Sequence, residues 1–561
     1  MTLPALTLKK VFDNFKHVRS VVRHKHVWSK DNVVKSPYED VNIPEMTIVD
    51  YVWRDLEKWP TKTAVHCGVT NRSYSYEQMY KQSRTLATNL IKKFKVRSDD
   101  VIGIMSPNIP EYPIVTFGVL AAGGIVTTFN PVYTEYEVQR QIEISDVKIM
   151  IAFENCVPVV NKALKLAKKN IPVISIKVEK PLPENTVSLM ELIEDPHVDF
   201  DILKSVRRKP NDVAIMPYSS GTTGLPKGVE LTNRNLVANC EQQTTDVRQY
   251  NYTTETHQDV VLAVLPLFHS YGLTIVMLNK MAAGLKLLTL PKFQPDSFLG
   301  ALKIHRSNIL YVAPPMVLFL GSSSQITPEH FASVRLVTSG AAPLPPADVE
   351  KMMSKAQGRK FGIVQGYGMT EAAPLVTLSP LDCDDYETVG HAIPNVELRV
   401  VDDKMNNLGP GQVGELLIKG PNIMKGYRNN PEANTEVFVD SGWYRSGDIA
   451  NIDECGLVYI TDRLKELIKV KGYQVPPAEL ENVLKEHPSI HDAAVIGVPD
   501  ASTGERPKAF VVTVPGSNVK DHEIVEFVEK RVAPYKKITE IEFVDSIPKS
   551  VSGKILRRLL Q

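Results

Sequence analysis

The sequence predicts an α/β fold, and three observations predict it. Short runs rich in Val and Ile alternate with segments of helical period. Several of those runs end in loops of Gly, Ser, Thr and Pro. The chain has 561 residues, too many for one ordinary core. Such alternation argues for largely parallel sheets, whose strand ends gather ligands. Val101 to Met105 reads as the first clear strand. Pro113 to Phe129 is the most apolar stretch, but it is short for a membrane span and is broken by Gly118 and Gly123-Gly124. It reads as a helix ending at those glycines, then a buried strand. Val147 to Ile151, Val213 to Tyr218, Val260 to Leu265 and Arg335 to Thr338 follow as strands. From about Pro394 to Ile460 strands shorten and turns multiply, which reads as a small β subdomain. A helix opening near Pro476-Pro477 starts an α+β unit that ends at Gln561. The main boundary is expected between Asp462 and Lys465.

Lys plus Arg is 65 and Asp plus Glu is 64, so no global field attracts nucleic acid or anionic lipid. Any phosphate site must be local. Apolar residues make up 43% and charged residues 23%, as in a soluble globular protein. The cysteines, Cys67, Cys156, Cys240, Cys383 and Cys455, are scattered without a Cys-x-x-Cys pair. They read as free thiols in a reducing compartment. Met1 to Arg23 holds five Lys or Arg and one acid, Asp13, with apolar residues interleaved. That pattern suits either a transit peptide or a basic surface helix. The ending Leu559-Leu560-Gln561 is not of the Ser-Lys-Leu type, so a cytoplasmic or mitochondrial location is expected.

The motif with most chemistry runs from Tyr218 to Gly228 and contains Ser219-Ser220-Gly221-Thr222-Thr223-Gly224 and Lys227. It follows a strand and precedes a helix expected near Thr232. Glycines let backbone approach an anion, hydroxyls and N–H groups wrap phosphate oxygens, and Lys227 adds a full charge. It is not a Walker A loop, because Lys227 precedes Gly228 instead of following a Gly and preceding Ser or Thr.

This segment resembles the phosphate-binding signature of the adenylate-forming superfamily: acyl- and aryl-CoA synthetases, 4-coumarate–CoA ligases, beetle luciferases and peptide-synthetase adenylation domains. The resemblance runs from about Thr47 to Lys554, with every major motif in order. It implies a large N-terminal domain of two α/β subdomains plus the β subdomain, followed by a small mobile C-terminal domain. The expected division is an extension at 1–45, an adenylation domain at 46–462 and the mobile domain at 463–561.

The resemblance assigns roles to the other motifs. In Gln365-Gly366-Tyr367-Gly368-Met369-Thr370-Glu371 it implies Tyr367 against adenine, Thr370 at phosphate and Glu371 supporting Mg²⁺, and a carboxylate with hydroxyls suits a hard cation. In Tyr444 to Asp448, Asp448 is implied to accept from the ribose hydroxyls. Arg463 adds a donor and Ile460 packs on adenine. Ser339-Gly340-Ala341 lines the adenine and acyl sites. In Pro266 to Gly272, His269 orders the pocket by the substrate carboxylate and Tyr271 lines the acyl tunnel. In Pro548 to Lys554, Lys554 is implied to reach the reacting oxygens, where negative charge grows in the transition state. Lys465 matches the hinge. Lys469, Lys471 and Gly472 belong to the thioester-forming face, with Lys471 and Gly472 meeting coenzyme A, and Lys292 is implied at the CoA nucleotide.

These residues imply an ATP-dependent acid–CoA ligase that uses ATP, Mg²⁺ and coenzyme A and has no nucleic-acid partner. Tyr271, Ser339, Gly340, Ala341, Gly366, Ala372 and Ala373 suggest an acyl pocket with small walls and one aromatic. Nothing polar is obvious there for a ring hydroxyl, so a medium- or long-chain fatty acid is expected before an aryl acid. A luciferase-like monooxygenase, a peptide-synthetase adenylation unit and a non-catalytic nucleotide-binding protein are the other readings. Against the second, the chain ends seven residues after Lys554. Against the third, Lys554, Glu371 and Asp448 are all present.

Overall fold

The computed structural model describes residues 27–177, 181–219, 226–243, 253–381, 383–463, 466–470, 473–500, 503–532, 536–550 and 553–560; for 462, 463, 469, 473, 474 and 504 it describes the backbone alone. Two nine-stranded sheets form the body. The first runs Tyr218–Ser219, Lys227–Thr232, Val213–Met216, Ile125–Phe129, Val101–Met105, Ile149–Phe153, Val173–Ile176 and Val187–Ser188, with Gly426–Tyr427 added on Lys227–Thr232. The second runs His391–Ala392, Leu375–Leu378, Gly362–Gly368, Leu336–Ser339, Ile309–Val312, Val260–Ala263, Lys286–Thr289, Thr63–Cys67 and Ser73–Ser75. Their centres are parallel. Val101–Met105 and Ile125–Phe129 are buried at every position, as central parallel strands covered on both faces must be.

The strand expected to begin at Val147 begins at Ile149. The Val147 amide instead closes the preceding helix by donating to the Ile142 carbonyl, 3.1 Å away. The most apolar stretch is the helix Glu111–Ala121, which ends at Gly123 in the left-handed region, φ +87°, before the buried strand begins. No helix among the described residues is long and apolar enough to cross a membrane.

A six-stranded antiparallel sheet forms the β subdomain from Val34–Lys35, Glu397–Val401, Gly414–Lys419, Trp443–Ile452, Phe438–Val439 and Val458–Arg463. The sequence set 1–45 apart as an extension, but its described part does not stand apart. Val34 is buried and its strand pairs with Glu397–Val401; Trp28 Nε1 donates to Asp453 O at 2.9 Å, and Ser36 Oγ to Ala392 O at 2.9 Å.

The C-terminal unit has its own five-stranded sheet of Tyr473–Val475, Ile468–Val470, Gly504–Thr513, Ile490–Asp500 and Glu540–Phe543. Its separate core includes Ile468, Leu480, Val495, Val511 and Ile524. The helix Pro477–Lys485 opens on its proline, whose fixed φ suits a first turn. The chain therefore passes from the β subdomain to this unit between 463 and 468.

Candidate active site

The strand ends of the two large sheets face one cavity of about 850 Å³. The β subdomain and the C-terminal unit complete its wall.

Strand Val213–Met216 leads into the hairpin of Tyr218–Ser219 and Lys227–Thr232, which sets Lys227 directly opposite Ser219 on the cavity wall. The tip of this hairpin, with Ser220, Gly221, Thr222, Thr223 and Gly224, lies outside the described residues. Beyond it the helix Asn233–Gln242 starts on Thr232, whose hydroxyl accepts from the Asn235 amide at 3.1 Å, while Asn235 Oδ1 accepts from the Thr232 amide at 2.9 Å. This reciprocal cap fixes where the hairpin ends and the helix begins. Lys227 Nζ lies 4.9 Å from the centroid of the Tyr427 ring, a cation–π contact. Tyr427 donates its hydroxyl to Glu371 Oε1 at 2.9 Å and lies 3.3 Å from the Tyr444 hydroxyl. Glu371 is buried yet lines the cavity, beside Thr370, whose Oγ1 is 3.3 Å from Ser270 Oγ.

Strand Gly362–Gly368 carries Gly366 and Tyr367 to the cavity. The Tyr367 hydroxyl donates to Asp448 Oδ2 at 2.6 Å. Asp448 is itself buried behind Ser446 and Gly447, which line the cavity, and its amide donates to Ser446 Oγ at 3.0 Å. The loop before His269 is held by Asn108, which bonds the Ala263 and Leu265 carbonyls at 2.9 and 2.7 Å and accepts from the Leu267 amide at 2.9 Å. His269 lines the cavity and its Nδ1 accepts from the Tyr271 amide at 3.3 Å. Burial pushes its imidazole down to about 4, so the ring is neutral at pH 7. An accepting Nδ1 assigns the proton to Nε2. A neutral, oriented imidazole suits ordering a carboxylate better than removing a proton.

Lys554 comes from the C-terminal unit on a tight hairpin. The Ser550 amide donates to Lys554 O at 2.8 Å, and the Lys554 amide donates to Ser550 Oγ at 3.1 Å. Gly553 is left-handed, φ +84°, and a Cβ there would lie 2.8 Å from Pro315 Cδ, so only glycine lets the hairpin press on the large domain. Behind it Lys549 pairs with Asp492 at 2.5 Å, and Arg557 pairs with Glu466 and Glu481 at 2.5 and 2.7 Å. Lys554 thus reaches the same cavity as Lys227, Glu371 and His269.

Other expected residues stand elsewhere. Gln365 turns its amide to the Tyr386 carbonyl at 2.6 Å and braces that loop instead of lining the cavity. Ser339, Ala372 and Ala373 are buried behind the wall, and Ile460 packs on the main core. Lys292 is exposed in the turn after Lys286–Thr289 and is not part of the cavity. Lys465, Lys471 and Gly472 lie outside the described residues, as do the side chains of Arg463 and Lys469. The backbone of Lys469 is in the C-terminal sheet, opposite Gln474.

In the acyl part, His269, Tyr271, Gly340, Ala341 and Gly366 do line the cavity. A Cβ at Gly340 would lie 3.0 Å from Gly366 O and 3.4 Å from Tyr271, so glycine keeps this passage open. The expectation of one aromatic and no polar group is not met. Tyr311 sets its ring edge-on to Tyr271 at 6.2 Å, and Lys280 and Gln243 also line the cavity. A lone lysine in the apolar run after His269 was the available signal for Lys280. Tyr427 and Tyr311 had no such signal, because strand pairing alone brings them to the cavity, and neither had Asn108, which braces the loop before His269 from behind.

The sequence profile of AMP-binding enzymes matches residues 52–428, and that of their C-terminal domain matches residues 479–554. The chain is 39% identical to 4-coumarate–CoA ligase 1 of Solanum tuberosum over 544 residues, covering 95% of this chain and 97% of that one. It is 37% identical to 4-coumarate–CoA ligase 1 of Arabidopsis thaliana over 541 residues, 95% of each. Its fold superposes on ATP-bound MatB from Rhodopseudomonas palustris with a TM-score of 0.81 at 28% identity, covering 92% of this chain and 98% of that one. The chain belongs to the AMP-binding enzymes, the adenylate-forming superfamily, on its branch of AMP-forming acid–CoA ligases.

Proposed function

We propose that this ligase activates an aryl or arylpropenoic acid and passes it to coenzyme A. One observation carries the choice of acid: the wall formed by the edge-on pair Tyr271 and Tyr311 carries the amine of Lys280 beside it, so this part of the cavity is not lined as an apolar tunnel. A long alkyl chain would press methylenes on a buried amine, whereas a flat ring with a polar end packs against an aromatic wall and meets the amine. The likeness to enzymes named 4-coumarate–CoA ligases supports the same choice.

In the first step a carboxylate oxygen bonds to the α-phosphorus of MgATP, and the bond to pyrophosphate breaks. Lys227 and Lys554 set two ammonium groups on one cavity and offset the charge that grows on the phosphate oxygens. The magnesium of MgATP suits Glu371, a single buried carboxylate beside the Thr370 hydroxyl. No group of three His, Cys, Asp or Glu among the described residues offers a resident metal cage, so phosphate and water would supply its other ligands. Neutral His269 orders the acid for in-line attack.

In the second step the thiol sulfur of coenzyme A bonds to the acyl carbon and AMP leaves. Lys554 occupies the cavity in this arrangement, which suits adenylation. Rotation of the C-terminal unit about Lys465 would withdraw it and bring in the face with Lys469, Lys471 and Gly472.

Acid-dependent pyrophosphate release and thioester formation across a panel of aryl, arylpropenoic and straight-chain acids test this reading. The aryl acids are expected to lead by about tenfold or more in kcat/KM. A lead for octanoate or palmitate of that size would overturn it.

A further inference from the structure

We propose that Lys280 is a specificity residue that selects acids bearing an oxygen at the end remote from the reacting carboxyl. The inference rests on the reading that the part of the cavity lined by Tyr271 and Tyr311 takes the body of the acid.

Lys280 is 1% exposed, among the largest fully buried side chains of the protein, yet it lines the cavity. Hydrogen bonding of the i→i+5 kind over Tyr271–Leu278 widens the helix turn. Spacings of four and five then bring Tyr271, Ile275 and Lys280 to one face, and all three line the cavity. Side chains on a helix lean toward its N-terminus, so the lysine stem leans back along the passage toward Tyr271.

The head group is held in place. Its Nζ donates to Asn279 Oδ1 at 2.6 Å, and Asn279 Nδ2 in turn donates to Cys240 O at 2.9 Å. The Tyr311 ring centroid lies 5.2 Å from Nζ. One amide oxygen uses one of three donors. Among the described residues no carboxylate pairs with this lysine. Among the described residues the titratable groups facing it are Cys240 and Tyr311, and burial pushes both upward, so neither supplies an anion at neutral pH. Burial also pushes the lysine down to about 7, so it can meet a carboxylate as ammonium or a phenol as amine.

A buried amine with spare hydrogen-bonding capacity gains a partner from a substrate oxygen and is left dry by a bare ring or methyl end. Sites built around such a group discriminate strongly against the analogue that lacks it. The shared ligand chemistry is an oxygen at the far end of an apolar body, either a phenol hydroxyl or a second carboxylate.

The experiment compares matched pairs: 4-coumarate with cinnamate, and octanedioate with octanoate. Pyrophosphate release is read for the full chain and for Lys280→Met. The oxygen-bearing member of an active pair is expected to lead in kcat/KM by about tenfold or more, through KM, and Lys280→Met is expected to reverse the order. Thermal unfolding of the variant shows that it folds. Cinnamate equal to 4-coumarate in the unaltered chain overturns the inference and leaves the aryl reading standing. Activity confined to octanedioate overturns the aryl reading and supports Lys280. Failure of all four acids overturns both. A Lys280→Met variant that is folded and keeps the original preference overturns the inference alone.

Discussion

Tyr367 donates its hydroxyl to Asp448 at 2.6 Å, joining the aromatic of the Gly366-Tyr367-Gly368 motif to the carboxylate of the Tyr444–Asp448 motif. The two residues come from different sheets, 81 positions apart in the chain. Each was expected at the nucleoside, one for adenine and one for ribose. Their bond sets the ring and the carboxylate as one unit.

Tyr367→Phe keeps the ring and removes that tie. The KM for ATP is expected to rise about tenfold with kcat within about threefold, since a hydrogen bond to a charged group is worth roughly 1.5 kcal/mol or more. Steady-state kinetics with varied ATP check this. An unchanged KM would show that Asp448 is positioned without Tyr367.

Tyr427 connects Lys227 to Glu371, one through its ring and the other through its hydroxyl. Tyr427→Phe leaves the cation–π contact and frees Glu371 Oε1. The Mg²⁺ concentration giving half-maximal pyrophosphate release is expected to shift by a few-fold, about 1 kcal/mol, at fixed ATP. Titration with Mg²⁺ gives the answer, and an identical midpoint in the variant would separate Glu371 from the metal.

Lys280 makes stability depend on pH. Its folded value lies near 7, below the ordinary lysine value of 10.5. Between these two values the unfolded chain binds more protons, so this group makes stability rise with pH through that window. Below about 7 the full cost of burying the charge is present. Lys280→Met is therefore expected to stabilise the fold most near pH 6, by on the order of a few kcal/mol, and least near pH 10, with the melting temperature rising accordingly. Calorimetry at both pH values decides it. A variant less stable at pH 6 would show that the lysine holds the fold together there.

Much of the fold is legible because its signals are local. Apolar runs bounded by glycine and proline mark the parallel strands, and Thr232 and Pro477 mark helix starts where the helices begin. The family resemblance of the motifs also points to Lys227, His269, Tyr367, Glu371 and Lys554, which the fold brings to one cavity. The lining of the acyl passage was less legible. Tyr311 arrives on a neighbouring strand, and Lys280 reaches the cavity because the helix turn is widened, which shifts the face that a regular 3.6-residue period would assign. The reach of the N-terminal segment was hidden as well, because Val34–Lys35 pairs with a strand more than 360 residues later.

The convergence of Lys554 and Lys227 on one cavity is the centre of the account, and Lys554→Ala measures it most directly through separate half-reactions. Acid-dependent pyrophosphate release is expected to fall by about a thousandfold or more, as for removal of a fixed charge from a transition state. Thioester formation from preformed acyl-adenylate and coenzyme A is expected to stay within about threefold of the unaltered chain, a difference of under about 1 kcal/mol. Equal losses in the two half-reactions would contradict the account, and so would pyrophosphate release that survives without Lys554.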